Sequence, residues 1–93
     1  MNIKPGSVVL SRAGRDAGRY FIVKEVLDEQ YVSIVDAELR KIVKPKKKKL
    51  KHVRNTGVVM DELAKRFKRK SRITNSEIRD VLKEYQTDIL NDR

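Results

Sequence analysis

Ser7-Val8-Val9-Leu10-Ser11-Arg12-Ala13-Gly14-Arg15-Asp16-Ala17-Gly18-Arg19-Tyr20-Phe21-Ile22-Val23 decides how this 93-residue chain is read. Two runs rich in β-branched residues flank a loop that holds two glycines and three arginines. Ser7–Ser11 is bounded by Pro5-Gly6 before it and Gly14 after it, the punctuation of a short strand. The second run continues from Tyr20 to Leu27. Asp28-Glu29-Gln30 is a polar turn. Tyr31-Val32-Ser33-Ile34-Val35 follows, with Val32 and Ile34 on one face and Ser33 on the other. Asp36-Ala37-Glu38 breaks that strand, and Leu39–Val43 reads as a fourth. Pro45 ends it, because proline cannot donate to a ladder. A fifth short strand is expected around Leu50–Val53. Short strands joined by tight turns suit a small antiparallel barrel.

Beyond residue 54 the period changes. Val59, Leu63 and Phe67 recur at helical spacing beside Met60 and Ala64. Gly57 is expected to mark the break before this helix. Ser71–Asn75 forms the hinge to a second one. Thr74 and Glu77 make a T-x-x-E capping box, and Ile73 and Ile78 are placed for a hydrophobic staple. Ile78, Val81, Leu82, Tyr85 and Ile89 form one apolar stripe. The two helices predict an αα-hairpin whose apolar faces need cover from each other, the barrel or another chain.

The charge is uneven. Lys and Arg number 23 against 13 Asp and Glu, a formal net charge of +10 that points to a polyanion partner. Residues 1–54 hold 14 basic and 6 acidic side chains; residues 55–93 hold 9 and 7. Candidate binding residues are therefore Arg12, Arg15 and Arg19 in the first loop, and Arg40, Lys41, Lys44, Lys46, Lys47, Lys48, Lys49, Lys51, His52 and Arg54 in the segment that follows the third strand. Guanidinium forks bind phosphate bidentately, although an ordinary hairpin with solvated arginines reads equally well on this segment alone. Four consecutive lysines repel one another and favour an extended loop unless an anion is present. Against a nucleic-acid backbone they release counterions and supply affinity more than specificity. A second cluster, Lys65, Arg66, Lys68, Arg69, Lys70 and Arg72, is a candidate secondary contact. Tyr20 beside Arg19 is a candidate stacking residue.

Residues 6–54 resemble a KOW domain. The likeness lies in Val8 to Val23, with Gly18 in the place of the motif's glycine. It extends through Val26-Leu27-Asp28, Leu39-Arg40-Lys41 and Lys46-Lys47-Lys48-Lys49-Leu50-Lys51-His52. That longer pattern is similar to the L-fourteen-e type of large-subunit ribosomal protein. The resemblance implies an SH3-like β-barrel that binds structured RNA through strand-connecting loops and a basic surface.

Enzyme readings find no support. His52 is the only histidine, so no Ser-His-Asp arrangement with a spare base and no His–His metal pair can form. No phosphate-binding G-x-x-x-x-G-K-[ST] motif is present. With no cysteine there is no disulfide framework or thiolate metal site, and no cofactor or metal is implied. The first residues lack the apolar run of a signal peptide, and no stretch is long enough to span a bilayer.

The expectation is thus an α+β chain. Residues 1–54 form a small SH3-like antiparallel β-barrel and residues 55–93 a C-terminal helical hairpin. Its expected work is non-catalytic binding of ribosomal RNA or the ribosome, in the cytoplasm and away from membranes. A protein-interaction adaptor that docks through the C-terminal helices is the alternative. Non-specific DNA binding ranks third and rests on charge alone.

Overall fold

A computed structural model describes residues 2–91. Met1, Asp92 and Arg93, the outer ends of the two expected parts, lie outside the described residues. Strands β1 (Ser7–Ser11), β2 (Tyr20–Val26), β3 (Tyr31–Val35), β4 (Lys46–Lys49) and β5 (Val53–Val59) are followed by helices α1 (Asp61–Lys68) and α2 (Asn75–Asn91). The strands form one antiparallel sheet in the order β4-β3-β2-β1-β5. The chain is α+β, as expected.

The sheet is curled. Neighbouring strands lie about 4.8 Å apart, so the edges of a flat five-stranded sheet would be separated by about 19 Å. Only the turn Leu50–His52 joins β4 at one edge to β5 at the other. Four extended links of about 3.5 Å reach no more than ~14 Å, so the edges must bend toward each other. Backbone hydrogen bonds pin the crossing: Leu50 N–H to Gln30 C=O and Arg12 N–H to His52 C=O, both 2.8 Å. The edge strands β4 and β5 do not pair with each other, so the sheet is not a closed barrel.

Both faces are covered, and this separates residues that alternate along each strand. Val9, Phe21, Val23, Val32, Ile34 and Val53 fill the face crossed by the turn, with Ile3 and Leu50 against them. Val8, Ile22, Val35 and Ala37 lie on the other face. They pack with Leu63 of α1, Ile73 of the hinge, and Ile78 and Leu82 of α2. Each helix therefore turns its apolar stripe to the sheet. Ile73 and Ile78, the expected staple pair, are both buried there.

Four expectations about local structure are corrected, the first being the strand expected around Leu50–Val53: Leu50–His52 is a 3-10 turn, and the fifth strand begins only at Val53. Leu39–Val43 is not a strand. The Asp36 carboxylate instead accepts the amides of Glu38 (3.0 Å) and Arg40 (2.8 Å), folding the chain back on itself. Ile42 N–H binds the Asn75 side chain at 2.9 Å rather than a ladder partner. The fourth strand is the lysine run itself, which pairs with β3 from Tyr31↔Lys49 to Ile34↔Lys46. Pro45 thus precedes that strand. Finally, Gly57 lies inside β5 and not between strand and helix. The β1–β5 register shifts between Ser7 and Val9. Gly57 takes φ +85° in that irregularity, and Thr56 Oγ1 donates to Val8 C=O at 2.7 Å.

Gly6 sets the approach of α1. A Cβ there would lie 2.9 Å from the Ala64 Cβ and 3.0 Å from the Met60 carbonyl oxygen. Its own carbonyl accepts the Met60 amide at 2.9 Å. The missing side chain lets the first turn of α1 rest on the start of β1.

Candidate functional site

Lysines 46 to 49 alternate between two environments because they form a strand. Lys46 and Lys48 oppose Ile34 and Val32, on the face crossed by the turn. Both reach Asp16 in the β1–β2 loop. Lys46 Nζ lies 2.8 Å from Asp16 Oδ2, and Lys48 Nζ lies 2.9 Å from Oδ1. Ser11 Oγ donates to Oδ1 at 2.6 Å, and Lys48 also donates to the Ala13 carbonyl at 2.8 Å. The Asp16 and Lys48 side chains are 5% and 7% exposed, so this is a buried ion pair. Burial alone would raise the Asp16 pKa. Hydrogen bonds from Lys46, Ser11 and Lys48 outweigh it and hold the carboxyl well below the usual carboxylate range.

Lys47 and Lys49 point the other way and are exposed. Lys47 Nζ sits 4.3 Å from the centre of the Tyr31 ring, a cation–π contact. Arg12, Arg15, Arg40, Lys41, Lys44, Lys51 and Arg54 are exposed, and His52 is half-buried in the turn. Arg19 is held by Glu38 at 2.9 Å and Asp36 at 3.4 Å. Tyr20 is half-buried, edge-to-face against Tyr85 of α2 with centroids 5.2 Å apart, so its ring joins sheet to helix.

In the second cluster, Arg66 has a structural partner. Its guanidinium binds both Glu77 carboxylate oxygens and the Arg72 carbonyl, bolting α1 to the start of α2. Glu77 Oε2 also accepts the Thr74 amide at 2.7 Å, and Thr74 Oγ1 accepts the Glu77 amide at 3.2 Å, completing the capping box. The Arg66 bonds foremost, then the Thr74 amide, lower the Glu77 pKa from 4.5 to about 2. Lys65, Lys68, Arg69, Lys70 and Arg72 are exposed.

Lys68, Lys70 and Arg72 rim a cleft of about 970 Å³ between the end of α1 and the sheet, together with Lys4 and Lys24. Its walls include Ile42, Val59, Ala64, Phe67 and Ile73. Sequence reasoning missed this cleft because its lining comes from segments far apart in the chain. Asp16, the acid at the centre of the buried knot, was legible only as one acid among the cations of its loop. Among the described residues no three acids or histidines come together as a metal site would need, and no helix is long and apolar enough to cross a membrane.

The site therefore combines ion pairs satisfied within the fold and an open cleft at the helix–sheet junction. Residues 31–88 match the family model of the preprotein translocase subunit Sec66. The match covers well over half of the chain, from β3 through most of α2, and the chain belongs to that family. No curated protein matches it.

This membership overturns several expectations. The chain is not assigned to the KOW or L-fourteen-e type proteins. Ribosomal RNA and the ribosome fall away as partners, and translation as the process. The expected cytoplasmic, ribosome-associated location, away from membranes, falls with them. The physical reason lies in what the resemblance used. It used glycine-loop spacing and lysine content, and here two of the four consecutive lysines are bound to Asp16 inside the fold.

Proposed function

We propose that the chain is a non-catalytic, protein-binding subunit in preprotein translocation. The observation that carries this reading is the family match over residues 31–88, which takes in three of the five strands, α1, the hinge and most of α2. The chemistry of the surface supports it. Exposed cations and half-buried apolar side chains lie side by side at the helix–sheet junction, a mixture suited to a protein surface. In this reading the curled sheet is an SH3-like half-barrel. The expected parts, 1–54 and 55–93, act together in this reading, because β5 (Val53–Val59) runs across their boundary and Lys24 and Ile42 of the first line the cleft with Phe67 and Ile73 of the second.

The test is purification of the tagged chain from its native host after exhaustive nuclease digestion, with export of a secreted reporter followed during depletion. Translocase components that stay bound, and accumulating reporter precursor, are the expected results. Association that vanishes with nuclease, or export untouched by depletion, overturns the proposal.

A further inference from the structure

The cleft beside α1 is rimmed by cations that the fold itself does not use. Among the described residues, Lys4, Lys68, Lys70 and Arg72 take part in no ion pair. Lys24 donates to the Ile42 carbonyl at 3.2 Å. Glu25 and Asp61 are the acids of the lining, so cations prevail. Beneath the rim, Phe67, Ile42, Val59 and Ala64 are only half-buried. A simple anion would leave these apolar walls unused, and a simple hydrophobe would strand the cations.

Lys70 adds an independent observation. It stands just past α1 at φ +56°, in the left-handed region that β-carbon-bearing residues rarely adopt. The helix is closed there by the Lys70 amide on the Phe67 carbonyl (3.2 Å) and the Ser71 amide on the Arg66 carbonyl (2.9 Å). Glycine is the usual residue at such a position because it adopts the conformation without strain. Here a lysine occupies it, and among the described residues its ammonium group makes no hydrogen bond within the fold. A residue in this conformation whose ammonium group bonds nothing in the fold leaves that charge available to a partner.

We propose that this cleft docks an acidic amphipathic segment of a protein partner. Its apolar side chains would seat against Phe67, Ile42 and Val59, and its carboxylates would meet Lys68, Lys70 and Arg72. The inference rests on the reading of the chain as a protein-binding subunit and adds the chemistry of the partner.

The probe is a synthetic peptide of about 14 residues, held helical by a covalent side-chain staple on its polar face, with Leu at i, i+3, i+4 and i+7 and Glu at the other positions. Its counterpart carries Lys in place of Glu. Titration calorimetry on the full chain should show the Glu peptide binding roughly tenfold more tightly, as a few exposed charge contacts provide. Lys70→Gly should raise the melting temperature while weakening the Glu peptide about two- to fivefold. A merely structural lysine would give the first change without the second. Joint Lys68→Glu, Lys70→Glu and Arg72→Glu changes should abolish the preference in a protein whose circular dichroism is unchanged. Equal binding of the two peptides, no binding, or a Lys70→Gly protein of higher melting temperature and unchanged affinity each overturn the inference. If the peptides fail while translocase components still co-purify with the chain, the docking inference falls and the translocation reading stands. If both fail, both fall.

Discussion

Replacing Asp16 by Ala removes the acceptor on which three donors converge. Ser11 Oγ, Lys46 Nζ and Lys48 Nζ lie 2.6, 2.8 and 2.9 Å from its carboxylate. The consequences for the two lysines differ. Lys46 is 26% exposed and can swing its ammonium group into water, so its part of the loss is about 0–1 kcal/mol. Lys48 is 7% exposed and keeps only the Ala13 carbonyl, at 2.8 Å. Removing one partner of a buried ion pair costs about 3–5 kcal/mol, because a charge is left uncompensated. The retained carbonyl places this case at the lower end, about 3 kcal/mol. A domain of this size is stable by about 5–15 kcal/mol, so the loss is a large share. With a urea slope of about 1–1.5 kcal/mol/M the midpoint should fall by about 2–3 M. Urea titration at pH 7, followed by far-ultraviolet circular dichroism, reads this directly. Adding Lys48→Met to Asp16→Ala should recover at least half of the loss, since an apolar stem then occupies the same space without a charge. A midpoint shift below about 0.5 M at an unchanged slope would refute the reasoning, for it would mean that Lys48 reaches water unaided.

Two further predictions concern the junction of helices and sheet. Gly6→Ala must place a Cβ 2.9 Å from the Ala64 Cβ at φ +94°, so strain and overpacking together should cost about 2–4 kcal/mol in thermal unfolding; a loss below about 1 kcal/mol would show that α1 can retreat freely. Glu77 has its folded pKa lowered from 4.5 to about 2. A lowered carboxylate contributes stability above its unfolded pKa and loses it as pH falls through the folded value. Stability should therefore decline between pH 4.5 and 2, and Glu77→Gln should make that decline shallower. Superimposable pH profiles of the two proteins would remove the Arg66–Glu77 bolt from the account.

What could be read from the sequence was local. β1, β2 and β3 follow from β-branched residues between turn formers, and the capping box follows from a spacing of three residues. The lysine strand could not be read in this way. Mutual repulsion argues for a loop when the run is considered alone. The structure relieves that repulsion through Asp16, some thirty residues earlier in the chain, and through alternation that sends Lys47 and Lys49 to the opposite face. Leu39–Val43 fails for the converse reason. Its apolar residues suit a strand, but the Asp36 carboxylate captures two nearby amides, and Asn75 takes the amide of Ile42. Candidate site residues were legible as cations. Their partners were not, because among the described residues every ion pair joins side chains eleven or more positions apart.

Those pairs explain why a net charge of +10 was a poor guide to the partner. Arg19, Lys46, Lys48 and Arg66 all stood among the candidate contacts for a polyanion, and each is neutralised within the fold. Formal charge counts such residues as if they faced solvent, yet a cation already bonded to a carboxylate has little to offer a phosphate. Two groups of cations outside these pairs stand out: Arg12 and Arg15 of the β1–β2 loop, and Lys68, Lys70 and Arg72 at the cleft by the end of α1. The loop, residues 12–19, lies before the matched span of 31–88, whereas Lys68, Lys70 and Arg72 lie within it. A property tied to the family should reside in the part the family has in common. Charge reversal of the three cleft residues should therefore impair association with translocase components, and charge reversal of Arg12 and Arg15 should leave it intact. The opposite ranking, measured by quantitative co-purification after nuclease treatment, would move the contact to the loop and refute the placement at the cleft.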